Sequence, residues 1–186
     1  MKKLIAIIAI ALIQTWVSAQ TNLEKLVLKE LNAYRATKGE LPVVYSTSVT
    51  KASAHHTKWL ALTDVLSHYE TIDVPGFNEI ENVEERGEFF KIWDATDNKG
   101  SSGSDHTIME ICNQTIAREA NPFVIKMKSD AQLAKDIIEK FSLSVKGHNE
   151  AMLFTANPGE TIMAGISVIV KGEKAHVTIN FIFVQK

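Results

Sequence analysis

Two histidines at loop edges, His68 in LSHYE and His148 in SVKGHNEAMLF, are the residues best placed in this sequence to do chemistry. Imidazole can move a proton near neutral pH or hold a divalent transition metal. Each of these two follows the end of a helical segment, and loop edges held by rigid elements are where working side chains tend to sit. The other four histidines have ordinary explanations. His55 and His56 belong to a helix whose apolar period already accounts for them. His106 lies in a Ser/Gly-rich stretch, and His176 alternates away from the apolar face of a strand. His68 and His148 stand 80 positions apart, without HExxH or CxxC spacing, so local pattern alone does not specify a metal site.

The elements that must position them can be read from periodicity. From Asn22 to Lys38, Leu23, Leu26, Val27, Leu31 and Tyr34 recur at helical spacing, and Gly39 marks the stop. After LPVVY, a candidate short strand, a second helix places Val49, Ala52, His56, Trp59, Leu60 and Thr63 on one side. The acid-rich ENVEERGEFFKIW reads as helical, and DNKGSSGSDH as a loop. SDAQLAKDIIEKF predicts a further helix, with Ser129 and Gln132 at capping-box spacing and a stripe of Leu133, Ala134, Ile137, Ile138 and Phe141. GISVIV, the turn KGEK and AHVTINFIFV read as a C-terminal β-hairpin. In its second strand Ala175, Val177, Ile179, Phe181 and Phe183 share one face, and His176, Thr178 and Asn180 point the other way. Helices ahead of a terminal hairpin give an α+β fold.

Composition bounds the rest. With 186 residues, 45% hydrophobic and 23% charged, the chain is long and apolar enough for one globular core. MKK followed by LIAIIAIALI and then VSA is a signal-peptide pattern, so residues 1–19 are expected to be cleaved and the mature chain to begin at Gln20. The apolar run is too short to span a bilayer. Loss of Lys2 and Lys3 leaves 18 basic residues against 22 acidic ones, a charge of −4 that gives nucleic acid no footing. The single cysteine, Cys112, cannot form an internal disulfide and reads as a small buried apolar residue. Asn113-Gln-Thr is a sequon that matters only in a host that glycosylates.

Three stretches taken in order resemble the CAP superfamily, the SCP-like or PR-1-like extracellular domain. LNAYRATKGELPVV matches the Asn-x-x-Arg-x-x-x-Gly helix end and following Pro at Asn32, Arg35, Gly39 and Pro42. ASAHHTKWLALTDVLSH matches the Ala-x-x-x-His helix and Ser-His at Ala52, His56, Ser67 and His68. FSLSVKGHNEAML resembles the bacterial Trp-x-x-Ser and Gly-His pattern at Phe141, Ser144, Gly147 and His148, with phenylalanine for tryptophan and one residue more between serine and histidine. The family's Gly-Glu-Asn-Ile motif is matched only by MEICNQTIA, which puts Glu110 in the glutamate's place without the flanking Gly and Asn.

The resemblance implies residues 20–186 as one CAP domain: a three-layer α-β-α sandwich with a central antiparallel sheet, a C-terminal β-hairpin and a surface cleft. It implies His68, Glu110, Ser144 and His148 as cleft residues, with His68 and His148 as ligands of zinc or a similar divalent ion. The function expected is an exported, secreted or periplasmic binding protein for a small or lipid-like ligand, cell-surface material or a protein partner. The alternative is a metal-assisted hydrolase at the same cleft, since two imidazoles and a carboxylate could leave a metal position open for an activated water. A protease built on Ser144, with His148 as base and Glu110 as orienter, has no GxSxG elbow behind it. A turn role explains Ser144 with less.

Overall fold

The computed structural model describes residues 20–77, 80–92, 108–120 and 126–185. The expected signal peptide, the stretch 97–106 with His106, and the end of ENVEERGEFFKIW lie outside the described residues.

Helix α1 spans Asn22–Thr37 and starts in a capping box that the sequence reading did not single out: Thr21 Oγ1 accepts the Glu24 N–H at 3.2 Å, and Glu24 Oε2 accepts the Thr21 N–H at 2.8 Å. Leu23, Val27 and Leu31 turn inward from it. Strand β1 is only Val44–Tyr45, and α2 runs Thr47–Thr63 to a left-handed end at Asp64. Then come α3 (Val83–Phe89), β2 (Ile108–Ile116), α4 (Asp130–Ser142), α5 (His148–Met152), β3 (Glu160–Lys171) and β4 (Lys174–Gln185). Ser129 caps α4 as expected. The Gln132 side chain donates forward to Asp136, so only the serine half of that box appears among the hydrogen bonds.

The fold is α+β, with sheet order β1-β3-β4-β2. The expected antiparallel sheet is corrected to a mixed one, because β1 pairs parallel to β3 through Val44↔Met163 and Tyr45↔Ala164. No hairpin joins these two strands, so nothing forces them to run oppositely. The β3–β4 and β4–β2 pairs are antiparallel.

Strand alternation sorts the layers. Ala175, Val177, Ile179 and Phe181 of β4 pack with Leu31, Ile137 and Phe141 of α1 and α4 on one face. Ile182 and Val184 join Val49 and Ala52 of α2 on the other. His176, Thr178 and Asn180 also face α2 and are buried, at 1%, 0% and 0% exposure, which corrects the reading of His176 as an ordinary outward strand residue. A strand between two helical layers has no solvent side.

Helix α2 lies unusually close to β3. A Cβ at Gly165 would come within 2.3 Å of the Val49 carbonyl carbon and 2.4 Å of the Thr50 nitrogen, so only glycine admits this approach. Beyond the two-residue β1, the α2 hydroxyls serve the backbone of β3: Thr50 Oγ1 accepts the Ile166 N–H, and Ser53 and Thr57 donate to the carbonyls of Gly165 and Ser167. The helix thereby supplies the hydrogen bonds a longer edge strand would have made.

Candidate functional site

The resemblance motif at the end of α1 is structural. Asn32 brackets Val43, donating to its carbonyl at 3.1 Å and accepting its N–H at 2.9 Å. Arg35 is buried and donates to the carbonyls of Leu41, Met152 and Phe154, tying the approach to β1 to the exit of α5. Gly147, at φ 84°, turns the chain into α5 so that His148 opens that helix.

At the α2 and β2 side of the sheet, a buried ionic cluster supports the cleft. Arg86 of α3, fully buried, places Nη2 2.8 and 2.7 Å from the two oxygens of Glu110 and Nη1 2.9 Å from Glu70 Oε1. His56 reaches the same Glu70 oxygen through Nδ1 at 2.9 Å and the Ser67 carbonyl through Nε2 at 2.8 Å. Both its ring nitrogens thus face oxygen atoms and fix the ring between α2 and the loop that follows it. His55 lies 3.3 Å from Glu70 and packs on Phe77, with ring centroids 4.5 Å apart. The packing and hydrogen-bonding reading of His55 and His56 is what the fold uses them for.

Burial alone would raise the Glu70 carboxyl, but hydrogen bonds from His55 and His56 and the charge of Arg86 bring it down to about 2. Glu110 follows the same pattern: burial raises it, and His68, His56 and Arg86 together hold it below the usual carboxylate value. Neither Glu70 nor Arg86 was singled out from sequence. The signals were Glu70 two residues past His68, and Arg86 as the one cation in ENVEERGEFF.

In front of this cluster stands His68, its side chain 44% exposed, with Nδ1 3.2 Å from Glu110 Oε1. The His148 ring approaches it edge to face, with centroids 6.1 Å apart, and is backed by Phe141 at 5.5 Å. Residues 80 positions apart in sequence are therefore neighbours. Burial first, then His68, lowers the His148 pKa and favours its neutral ring.

The pair stands where two clefts adjoin. One, of about 200 Å³, is lined by His68, Tyr69, Asn82 and Glu110. The other, of about 510 Å³, is lined by Leu66, Cys112, Asn113, Leu143, Ser144 and His148. The four cleft residues of the sequence reading thus divide, His68 and Glu110 into one, Ser144 and His148 into the other. Ser144 Oγ accepts the Lys146 N–H at 3.2 Å, the turn role expected of it. Cys112 is buried, and its thiol is pushed up to about 12 by burial and by Glu110. Asn113, inside β2 and 3% exposed, accepts from Thr115 at 3.0 Å, so the sequon is sealed in the fold.

A divalent ion fits this donor set only in part. Both Glu110 oxygens already take Arg86, whose positive charge opposes a cation there, so the carboxylate does not complete a three-residue site. Among the described residues, no three of His, Cys, Asp and Glu are arranged to hold a metal. Two imidazoles remain.

No family model matches the chain, and no curated protein matches it. Among solved structures it is similar to an outer surface protein from Borrelia burgdorferi, with a TM-score of 0.55 and 11% identity over 91% of this chain and 97% of that one. An extracellular protein containing a SCP domain from Bacillus anthracis str. Ames superposes with a TM-score of 0.49 and 16% identity, over 85% of this chain and 39% of that one. The helical layers on the two faces of the sheet and the terminal hairpin are those the sequence resemblance implied. The fold is shared with that outer surface protein. In this fold the Asn32 and Arg35 motif sets loop geometry, while His68 and His148 line the clefts. No described helix is long and apolar enough to cross a membrane.

Proposed function

We propose that the chain is an exported CAP-like binding protein whose ligand, a small or lipid-like molecule, surface material or a protein segment, is taken up where the two clefts meet. One observation carries this reading: His68 and His148 lie edge to face at that junction, at 6.1 Å between centroids, while Glu110 behind them is held by Arg86. A divalent ion at this point would be held by the two imidazoles, with water completing its shell, a weaker arrangement than a three-ligand zinc site. Export is supported by the leader pattern in residues 1–19 and by the likeness to an outer surface protein. The metal-assisted hydrolase alternative would use the same two imidazoles to hold the ion, with an open position for water; a serine protease gains no supporting contact, since Ser144 serves a turn.

Calorimetric titration of zinc and of nickel into the protein and into a His68→Ala/His148→Ala double variant tests the metal part. Binding in the first and none in the second is expected, with both proteins folded. Equal heats in the two would remove the histidine pair as the ligand set. N-terminal sequencing of exported material should begin at Gln20 or within a residue or two, and a chain retaining LIAIIAIALI would end the export reading.

A further inference from the structure

We infer that the larger cleft receives an extended peptide segment of a partner protein, which adds as a strand to the outer edge of β2. This deepens the binding-protein reading and rests on it. In the order β1-β3-β4-β2, strand β2 is an edge and, among the described residues, pairs only with β4. Backbone groups of successive strand residues point alternately to the two sides of the strand. The Lys140 ammonium reaches the Gln114 carbonyl from the side of α4, away from β4, so the backbone groups of Gln114 and, two residues earlier, of Cys112 are the outward ones. Among the described residues no backbone group pairs with the Cys112 N–H or carbonyl on that side.

The cleft lies along this edge. It is lined by both Cys112 and Asn113, whose side chains belong to opposite faces of the sheet. Leu66, past the end of α2, and Leu143, at the end of α4, flank it from the two helical layers. A cavity touching both faces of one strand opens on the strand's edge, between the layers, which is where an added strand would run. Asn113 adds a second and independent sign. It is 3% exposed, lines the cleft and carries an Nδ2 with no partner. A buried amide donor of that kind calls for a carbonyl. The charged residues around the cleft, Asp136 and Glu139 against Lys140 and Lys146, balance, so neither an anionic nor a cationic ligand is selected. Main-chain amides, flanked by an apolar contact to Leu66 and Leu143, are the chemistry that remains.

The test is a library of acetylated, amidated random hexapeptides screened against the purified full chain. Selected peptides are followed by amide chemical shifts and by N-methylation at each peptide position. Expected are binders that shift the amides of Cys112 and Gln114 and are weakened by Leu143→Arg, at a site 73% exposed and so outside the core. Their N-methyl scan should show a period of two, with about fivefold loss at each bonded position, as removal of one hydrogen bond entails. The inference is overturned by a library without binders, by shifts elsewhere, or by an N-methyl scan without that period. It is also overturned by self-association that moves the same amides, which would make the occupant a second copy, and by laurate moving them where no peptide does. Zinc binding through the histidine pair without peptide binding would defeat this inference alone. Peptide binding in a chain indifferent to zinc would defeat the metal reading alone.

Discussion

Arg86 grips Glu110 with a single nitrogen, Nη2, set 2.8 and 2.7 Å from the two carboxylate oxygens, while its other terminal nitrogen holds Glu70 at 2.9 Å. One guanidinium therefore organises two buried acids from two parts of the chain, and the floor behind His68 depends on it. Removing it leaves both carboxylates buried without a cation. Arg86→Ala is expected to cost about 3–5 kcal/mol in urea melts. Arg86→Lys should recover only part, because an ammonium lacks the planar fork that serves two acids at once. A loss under about 1 kcal/mol for the alanine variant would mean the cluster is not holding the fold.

Gly165 is the point where α2 meets the sheet. Since an added methyl would meet the Val49 and Thr50 backbone at 2.3–2.5 Å, Gly165→Ala must push the helix away. That shift would loosen the contacts of Thr50, Ser53 and Thr57 with β3. A destabilisation of about 1–3 kcal/mol or more is expected, as for overpacking in a filled core. Thermal melts of the single variant decide it, and an unchanged Tm would refute the close approach.

His176 makes stability depend on pH. Burial is the main cause that lowers its pKa; the Asp64 carboxylate, 3.8 Å from Nε2, opposes this, and Lys174 and Lys171 reinforce it. The folded ring therefore takes a proton less readily than the unfolded one, whose value is 6.5. Below that pH the unfolded state binds more protons, so this residue's contribution is present above about 6.5 and is lost as pH falls towards the lower folded value. Urea melts between pH 7.5 and 5 should show the decline in the wild type and a shallower one in His176→Gln. Parallel curves would show that another group is responsible.

Ile137 is fully buried between α1 and the sheet. Its truncation to alanine should cost about 2–4 kcal/mol through the cavity it leaves. A loss below about half a kcal/mol would place the wrong face of α4 against the core.

Periodicity made the main elements readable. Leu23, Val27 and Leu31 pointed inward as their spacing required. So did Leu133, Ile137 and Phe141, and β4 divided its side chains in the alternation its sequence displays. The site was legible only where a motif could be matched. His68, His148 and Glu110, which the structure makes neighbours, were singled out through residues nearby in sequence. Glu70 and Arg86 were not, because an acid and a base in polar segments look solvated until the fold buries them against each other.

By itself, the sequence determined the main helices and the C-terminal hairpin and which of their faces are apolar, but not that Ile108–Ile116 forms strand β2. The former are local matters, set by backbone sterics and side-chain period. Only the tertiary structure decided that β1 runs parallel to β3, and that the polar face of β4 is covered by α2. It also decided that Arg86 neutralises Glu70 and Glu110, and that His68 and His148 stand 6.1 Å apart across 80 positions of chain. Pairings of that kind depend on how the layers close over the sheet, and closing long loops is driven by the summed burial of the whole core rather than by any short stretch of residues.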